Sequence, residues 1–168
     1  MNPSGSDLKV RLAGPEDLLG VLGVHSRRDA TESIPVEPSN VEADTWAHML
    51  AVPGLSVYLA ESEDGIVGTA SALLFPNVTY DCQPTAIIEA VVVAFPHRRR
   101  GIATALIRFL LEDMRSAGCN KVQLLSHKRH SGDGAHRLYT SLGIEPEAEG
   151  FRLYLGRIPD AVEEARRQ

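Results

Sequence analysis

The chain of 168 residues is 43% hydrophobic, 23% charged and only 5% aromatic. These fractions are those of a globular protein and exclude wholesale disorder, and the length suits a single domain over residues 1–168. No window holds the roughly 18 consecutive apolar residues of a membrane span, and the first residues lack the basic and apolar regions of a secretory signal. Cys82 and Cys119 are too few for a disulfide framework or a four-cysteine zinc site, so a reducing, cytoplasmic location is expected.

Charge is distributed unevenly along the chain. Residues 1–84 carry four basic and twelve acidic side chains, whereas residues 85–168 carry thirteen basic and ten acidic ones. Residues 97–137 alone hold nine Lys or Arg and four His against three acids. A basic segment in a protein of net charge −5 indicates a site for an anionic ligand; the alternative is a solvated helix face.

The first half of the chain predicts three strands and two helices. Residues 1–6 are small and polar and are expected to fray. Pro15 marks one helix start, and Ser39 and Glu42 have the spacing of a capping box at the start of the other. Asp64-Gly65 is a hairpin turn signal. The strands are predicted from alternating apolar residues at 8–12, 55–60 and 66–74.

The second half alternates strands with helices. The run IIEAVVV at 87–93 predicts a central strand covered on both faces. Residues 101–117 place apolar side chains every four positions, which predicts a helix that Gly118 ends. The remaining elements are a strand, a short helix capped by Asp133 and ended by Gly143, and a last strand, predicted at 121–126, 135–142 and 151–155. This order predicts an α/β or α+β fold with a mixed sheet.

The stretch that carries chemistry is VVVAFPHRRRGIATA, residues 91–105. A strand runs into a loop with three arginines, and Gly101 then begins a helix. A helix start offers unpaired N–H groups and a partial positive charge, so it favours phosphate; the alternative is an ordinary turn with solvated arginines. The chain has neither a G-x-x-x-x-G-K-[ST] loop nor a G-x-G-x-x-G fingerprint, so the common nucleotide motifs are excluded.

Two segments resemble the GNAT superfamily of N-acetyltransferases. RRRGIA at 98–103 matches the family's Q/R-x-x-G-x-G/A motif, and AHRLYTSLGI at 135–144 resembles A-x-x-[FL]-Y-x-x-L-G-[FI]. The resemblance covers residues 8–155 and is strongest over 86–144, the expected cosubstrate-binding core. It implies a mixed, mostly antiparallel central sheet with a splayed parallel strand pair and flanking helices.

The resemblance also implies acetyl-CoA as cosubstrate and no metal. The pantetheine arm would lie between the strands at 87–93 and 121–126, and the diphosphate on backbone N–H groups of residues 99–104. Gly132 stands where many relatives have an Asn that contacts pantetheine, so Ser131 or Asp133 is expected to substitute. The cosubstrate residues implied are Val91, Val92, Val93, Arg98, Arg99, Arg100, Gly101, Ile102, Ala103, Thr104, Ser131 and Tyr139.

Two residues fit the acid and base roles of acetyl transfer to an amine. Glu89 lies in an apolar strand, where burial would raise its pKa, and it resembles the Glu that relays the amine proton through water in many relatives. The alternative is a solvent-facing or ion-paired strand residue. Tyr139 matches the motif Tyr that protonates the departing thiolate, and the alternative is a core aromatic. His127, His130 and His136 match no standard zinc spacing.

The acceptor is expected to be an amine of a small molecule or peptide. In relatives the first helices shape its pocket, which corresponds here to residues 27–46 with Tyr80, and the acidic N-terminal half favours a cationic amine. The resemblance also implies a homodimer. A non-catalytic acyl-CoA-binding or sensing domain of the same fold remains an alternative. Net charge and sparse aromatic residues count against nucleic-acid binding.

Overall fold

Five strands and four α-helices account for the regular structure of the computed structural model, which describes residues 8–27, 37–126, 134–151, 153 and 155. The strands are β1 (Lys9–Leu12), β2 (Leu55–Ser62), β3 (Gly65–Phe75), β4 (Thr85–Val93) and β5 (Lys121–Leu124). The helices are α1 (Leu18–Ser26), α2 (Asn40–Ala51), α3 (Ile102–Ser116) and α4 (Ala135–Ser141).

The strands form one sheet in the order β1-β2-β3-β4-β5. The first four are antiparallel neighbours, and β5 runs parallel to β4. The parallel pair follows from the connection, because α3 carries the chain back to the starting edge before β5 begins. The predicted mixed, mostly antiparallel sheet with flanking helices is therefore confirmed.

Helices cover both faces of this sheet. On one face α3 buries Ile102, Leu106, Leu110 and Met114 against residues of β2, β3 and β4, as the four-residue spacing predicts. On the other face Trp46 of α2 packs with Val21 of α1 against the reverse side of β2. We call these the α3 face and the α1/α2 face. Strand β4 is buried at Ala86 and Ile88 but exposed at Glu89 and Ala90, so the prediction of cover on both faces is wrong at these two residues.

The predicted helix boundaries agree with local hydrogen bonds. The Glu42 N–H donates to Ser39 Oγ, and the Ser39 N–H donates to the Glu42 carboxylate, which completes the capping box before α2. Gly118 has a φ of +70° after α3, where the Cys119 N–H donates to Met114 O. The helix α4 begins after Gly134, and Asp133, its predicted cap, lies outside the described residues.

Two polar contacts join the elements around the sheet. Arg11 of β1 binds Asp17 with both terminal nitrogens, at 2.7 and 2.8 Å, and these bonds lower the pKa of the buried Asp17 carboxyl. The Tyr58 hydroxyl of β2 donates to Asp113 of α3 at 2.5 Å. Burial, and then Asp113, raises the pKa of Tyr58. These bonds fix β1 to the start of α1 and the sheet to α3.

The C-terminal segment differs from its prediction. The pattern FRLYL at 151–155 predicts a strand, but Phe151, Leu153 and Leu155 are outside the sheet and are 80–93% exposed. These three are the residues of the segment that the structure describes. At these three residues, alternating apolar side chains therefore do not form a strand.

Candidate functional site

A β-bulge divides β4 into two halves. Ser71 of β3 pairs with Glu89, but Thr69 pairs with Val92, so β4 has one more residue than β3 across this interval. The bulge lies around Ala90, whose φ of +52° is in the left-handed region. Ile88 before the bulge, and Val91 and Val93 after it, pack on the α3 face. The bulge therefore changes which residues of β4 face the core.

Glu89 is displayed to solvent by this arrangement. Its neighbour Ile88 faces α3, so Glu89 lies on the α1/α2 face by strand alternation. Its side chain is exposed, and the Ser71 hydroxyl donates to its backbone carbonyl at 3.1 Å. The expectation that Glu89 is desolvated by an apolar strand is wrong, because its side chain is exposed and β5 ends beside the preceding residue, Ile88.

The parallel pair β4 and β5 is short. It runs from Thr85 beside Lys121 to Ile88 beside Leu124, where β5 ends, while β4 continues to Val93. Within the described residues, the last five positions of β4 have no neighbouring strand on the β5 side. The half-buried Val91, Val92 and Val93 lie in this stretch, where the resemblance implies a splayed pair. We call the β5 side of this stretch the opening between β4 and β5.

The loop after β4 leads to the start of α3. Gly101 precedes this helix with a φ of +81°, and a Cβ there would meet nothing within 4 Å, so the left-handed backbone and not crowding accounts for the glycine. The first intrahelical bond is from Ala105 N–H to Gly101 O. The N–H groups of Ile102, Ala103 and Thr104 therefore lack an acceptor among the described residues and point out of the helix end.

The three arginines of the loop differ in their contacts. Arg98, Arg99 and Arg100 are all exposed. Arg98 is anchored: its Nε donates to Val93 O at 3.1 Å and its guanidinium lies over the Phe95 ring, 5.3 Å from the centroid. The Arg99 backbone is left-handed, with a φ of +63°. The loop thus places cationic groups beside the outward N–H groups of α3.

Helix α4 lies close to the same loop. A Cβ on Gly134, just before α4, would lie 3.7 Å from Arg99 Nη1 and 3.4 Å from Arg137 Nη2. His136 Nε2 is 3.1 Å from Ser126 Oγ, which ties α4 to the end of β5. Tyr139 is half-buried on this helix. The structure thus brings the region of the Tyr139 motif to the arginine loop, as the two-segment resemblance implies. Ser131 lies outside the described residues.

The predicted acceptor side is formed by α1 and α2. The Phe95 N–H donates to Arg27 O at 2.9 Å, so the end of α1 is bonded to the chain just after β4. Between α1 and α2 lies an apolar groove, lined by Pro15, Leu18, Ala43, Trp46, Ala47, Leu50 and Ala51. Tyr80 contacts Lys121 instead, with Nζ 4.9 Å from the ring centroid. Most of the loop between the helices lies outside the described residues.

Within the described residues, no three His, Cys, Asp or Glu side chains come together as a metal site. The helices of the same residues all fall short of the length and apolar character that a membrane span requires.

Comparison with known proteins shows the family of this chain. The family model described as the acetyltransferase (GNAT) family matches residues 23–144. The chain belongs to the GNAT family of acetyltransferases. Glucosamine 6-phosphate N-acetyltransferase of Trypanosoma brucei brucei is 32% identical over 151 residues, which cover 89% of this chain and 97% of that protein.

Solved structures agree with this GNAT assignment. A putative acetyltransferase from Agrobacterium tumefaciens str. C58 has a TM-score of 0.78 and 32% identity, covering 87% of this chain and 99% of its own. The aminoglycoside N-acetyltransferase AAC(6')-Iy, solved with CoA, is similar in fold, with a TM-score of 0.70 at 21% identity over 94% of this chain and all of its own. This GNAT protein is therefore an enzyme that transfers an acetyl group from acetyl-CoA to an amine.

Proposed function

We propose that this acetyltransferase binds acetyl-CoA and an amine together and transfers the acetyl group directly. The observation that carries the proposal is the outward-facing start of α3 beside the opening between β4 and β5. The N–H groups of residues 102–104 would hold the diphosphate, with Arg98, Arg99 and Arg100 adding positive charge. The edge of β4 at residues 91–93, which has no neighbouring strand on the β5 side among the described residues, would hydrogen-bond the pantetheine arm.

Glu89 and Tyr139 have complementary roles in this proposal. The amine nitrogen attacks the thioester carbonyl carbon, the carbon–sulfur bond breaks, and the amine loses a proton. Glu89 accepts that proton through water, which its exposure permits. The Tyr139 hydroxyl gives a proton to the departing thiolate. No covalent bond to the enzyme forms.

The roles are tested by kinetics of Glu89→Gln and Tyr139→Phe. Each variant is expected to lower kcat by about 100-fold, at the lower end of general acid–base effects, with acetyl-CoA affinity retained. Glu112→Gln is the matched control, because Glu112 is an exposed carboxylate on α3. Turnover that survives unchanged in both variants contradicts the roles. Tight acetyl-CoA binding with no turnover of any amine would instead favour a non-catalytic acyl-CoA-binding domain.

The acceptor to test first is an amino sugar phosphate. The support is the Trypanosoma relative, which is named for glucosamine 6-phosphate and is matched over 97% of its own length by this chain. Lys121 lies beside Thr85, four residues from Glu89 along β4, and so shares the α1/α2 face with Glu89. A cation on that face suits an acceptor that bears a phosphate as well as an amine. Comparing kcat/KM for glucosamine 6-phosphate and glucosamine tests this class.

We also place the enzyme in a reducing, cytoplasmic compartment. The support is that Cys82 and Cys119 are both free.

A further inference from the structure

Two guanidinium groups lie near Gly134. Arg99 reaches this point from the loop before α3, and Arg137 reaches it from α4. Their nitrogens lie 3.7 and 3.4 Å from the place that a Cβ on Gly134 would occupy. Gly134 has a φ of +98°, so glycine both permits this backbone and leaves the space between the guanidinium groups free of a side chain.

No carboxylate of the described residues lies within ion-pair distance of Arg99 or Arg137. Both side chains are exposed on the same side of the molecule, and like charges that face one point repel each other. An anion placed between them removes that repulsion. Phosphate suits this geometry, because guanidinium groups offer forked N–H donors that match phosphate oxygens.

We propose that Arg137, together with Arg99, binds a phosphate group of the acetyl donor and so determines its preference for a phosphorylated thioester. This inference rests on the proposed binding of acetyl-CoA at the start of α3. Arg99 belongs to the loop that begins α3, so the pair lies next to the outward N–H groups of Ile102, Ala103 and Thr104. The motif around Tyr139 leaves position 137 unspecified, so Arg137 is a feature of this chain.

The test compares the affinity of the full-length protein for three acetyl donors by calorimetry. The donors are acetyl-CoA, 3′-dephospho-acetyl-CoA and acetyl-pantetheine, which carries no phosphate. Arg137→Gln is expected to lower the affinity for acetyl-CoA by about tenfold or more, because a hydrogen-bonded charge pair is lost. Arg115→Gln is the matched control, because Arg115 is an exposed arginine at the far end of α3. It is expected to leave all three affinities unchanged.

The pattern across the donors decides the inference. If Arg137→Gln lowers the affinity for acetyl-CoA but not for 3′-dephospho-acetyl-CoA, Arg99 and Arg137 bind the ribose phosphate. An effect that persists there and disappears only in acetyl-pantetheine assigns it to the diphosphate. An equal effect on all three donors, or none on any, overturns the inference. If the unsubstituted protein does not bind acetyl-CoA, the proposed function fails instead, so the two failures are distinguishable.

Discussion

Replacing Gly68 with alanine tests the packing that sets α3 against the sheet. A Cβ at Gly68 would lie 3.0 Å from Ile102 Cγ2 and 3.1 Å from Leu106 Cδ1. Both are tighter than ordinary van der Waals contact, and both side chains are buried. These two side chains, or the first turn of α3 that carries them, must therefore move by a few tenths of an ångström. Overpacking of this kind costs about 1–3 kcal/mol of unfolding free energy. Because this turn carries the outward N–H groups, acetyl-CoA affinity should also fall several-fold.

Chemical denaturation and calorimetry with acetyl-CoA measure the two effects of Gly68→Ala. Gly20→Ala is the control for affinity, since its Cβ would crowd Ile66, at 2.5 Å from Cδ1 and 3.3 Å from Cβ, on the α1/α2 face. Gly20→Ala should leave acetyl-CoA affinity unchanged. A Gly68→Ala protein with undiminished stability and affinity would refute the packing argument.

Two further predictions concern the polar contacts of the sheet. Asp17→Asn should destabilise the protein by about 2 kcal/mol at pH 7, since Arg11 loses a buried charged partner. Because the pKa of Asp17 is lowered in the folded protein, its ionised carboxylate stabilises the fold at pH values above about 4, the pKa of an Asp in the unfolded chain. This stabilisation is lost as the pH falls through the lower pKa of Asp17 in the folded protein. The difference between the two proteins in urea unfolding should therefore shrink below pH 4, and a constant difference from pH 7 to pH 3 would contradict the assignment. Tyr58→Phe should cost about 1.5 kcal/mol by removing the buried hydrogen bond to Asp113, and an unchanged midpoint of thermal unfolding would count against it.

Local patterns predicted most of the fold. The capping box at Ser39 and Glu42, the four-residue spacing in α3 and the glycine after that helix each depend on neighbours within a few positions. Such patterns can be recognised in the sequence because the residues that interact are close along the chain. The predicted last strand is not formed at its described residues, 151, 153 and 155, since alternation of apolar residues does not specify a pairing partner.

The site was less predictable, because its residues meet across long intervals. One extra residue in β4 reverses which side chains face the core, and nothing in IIEAVVV marks Ala90 as the bulge. Glu89 precedes the bulge and lies opposite Ile88 by alternation, yet it is exposed, against expectation. The meeting of Arg99 and Arg137 at Gly134 joins two segments far apart in sequence, and only the structure shows it.

Binding of acetyl-CoA at the start of α3 is tested most directly by an amide NMR titration of the full-length protein, because the titration reports on individual N–H groups. The largest shifts are expected to include the amides of Ile102, Ala103 and Thr104, and acetyl-pantetheine is expected not to reproduce them. Saturation with acetyl-CoA that leaves these three amides unmoved would show that the diphosphate does not bind there.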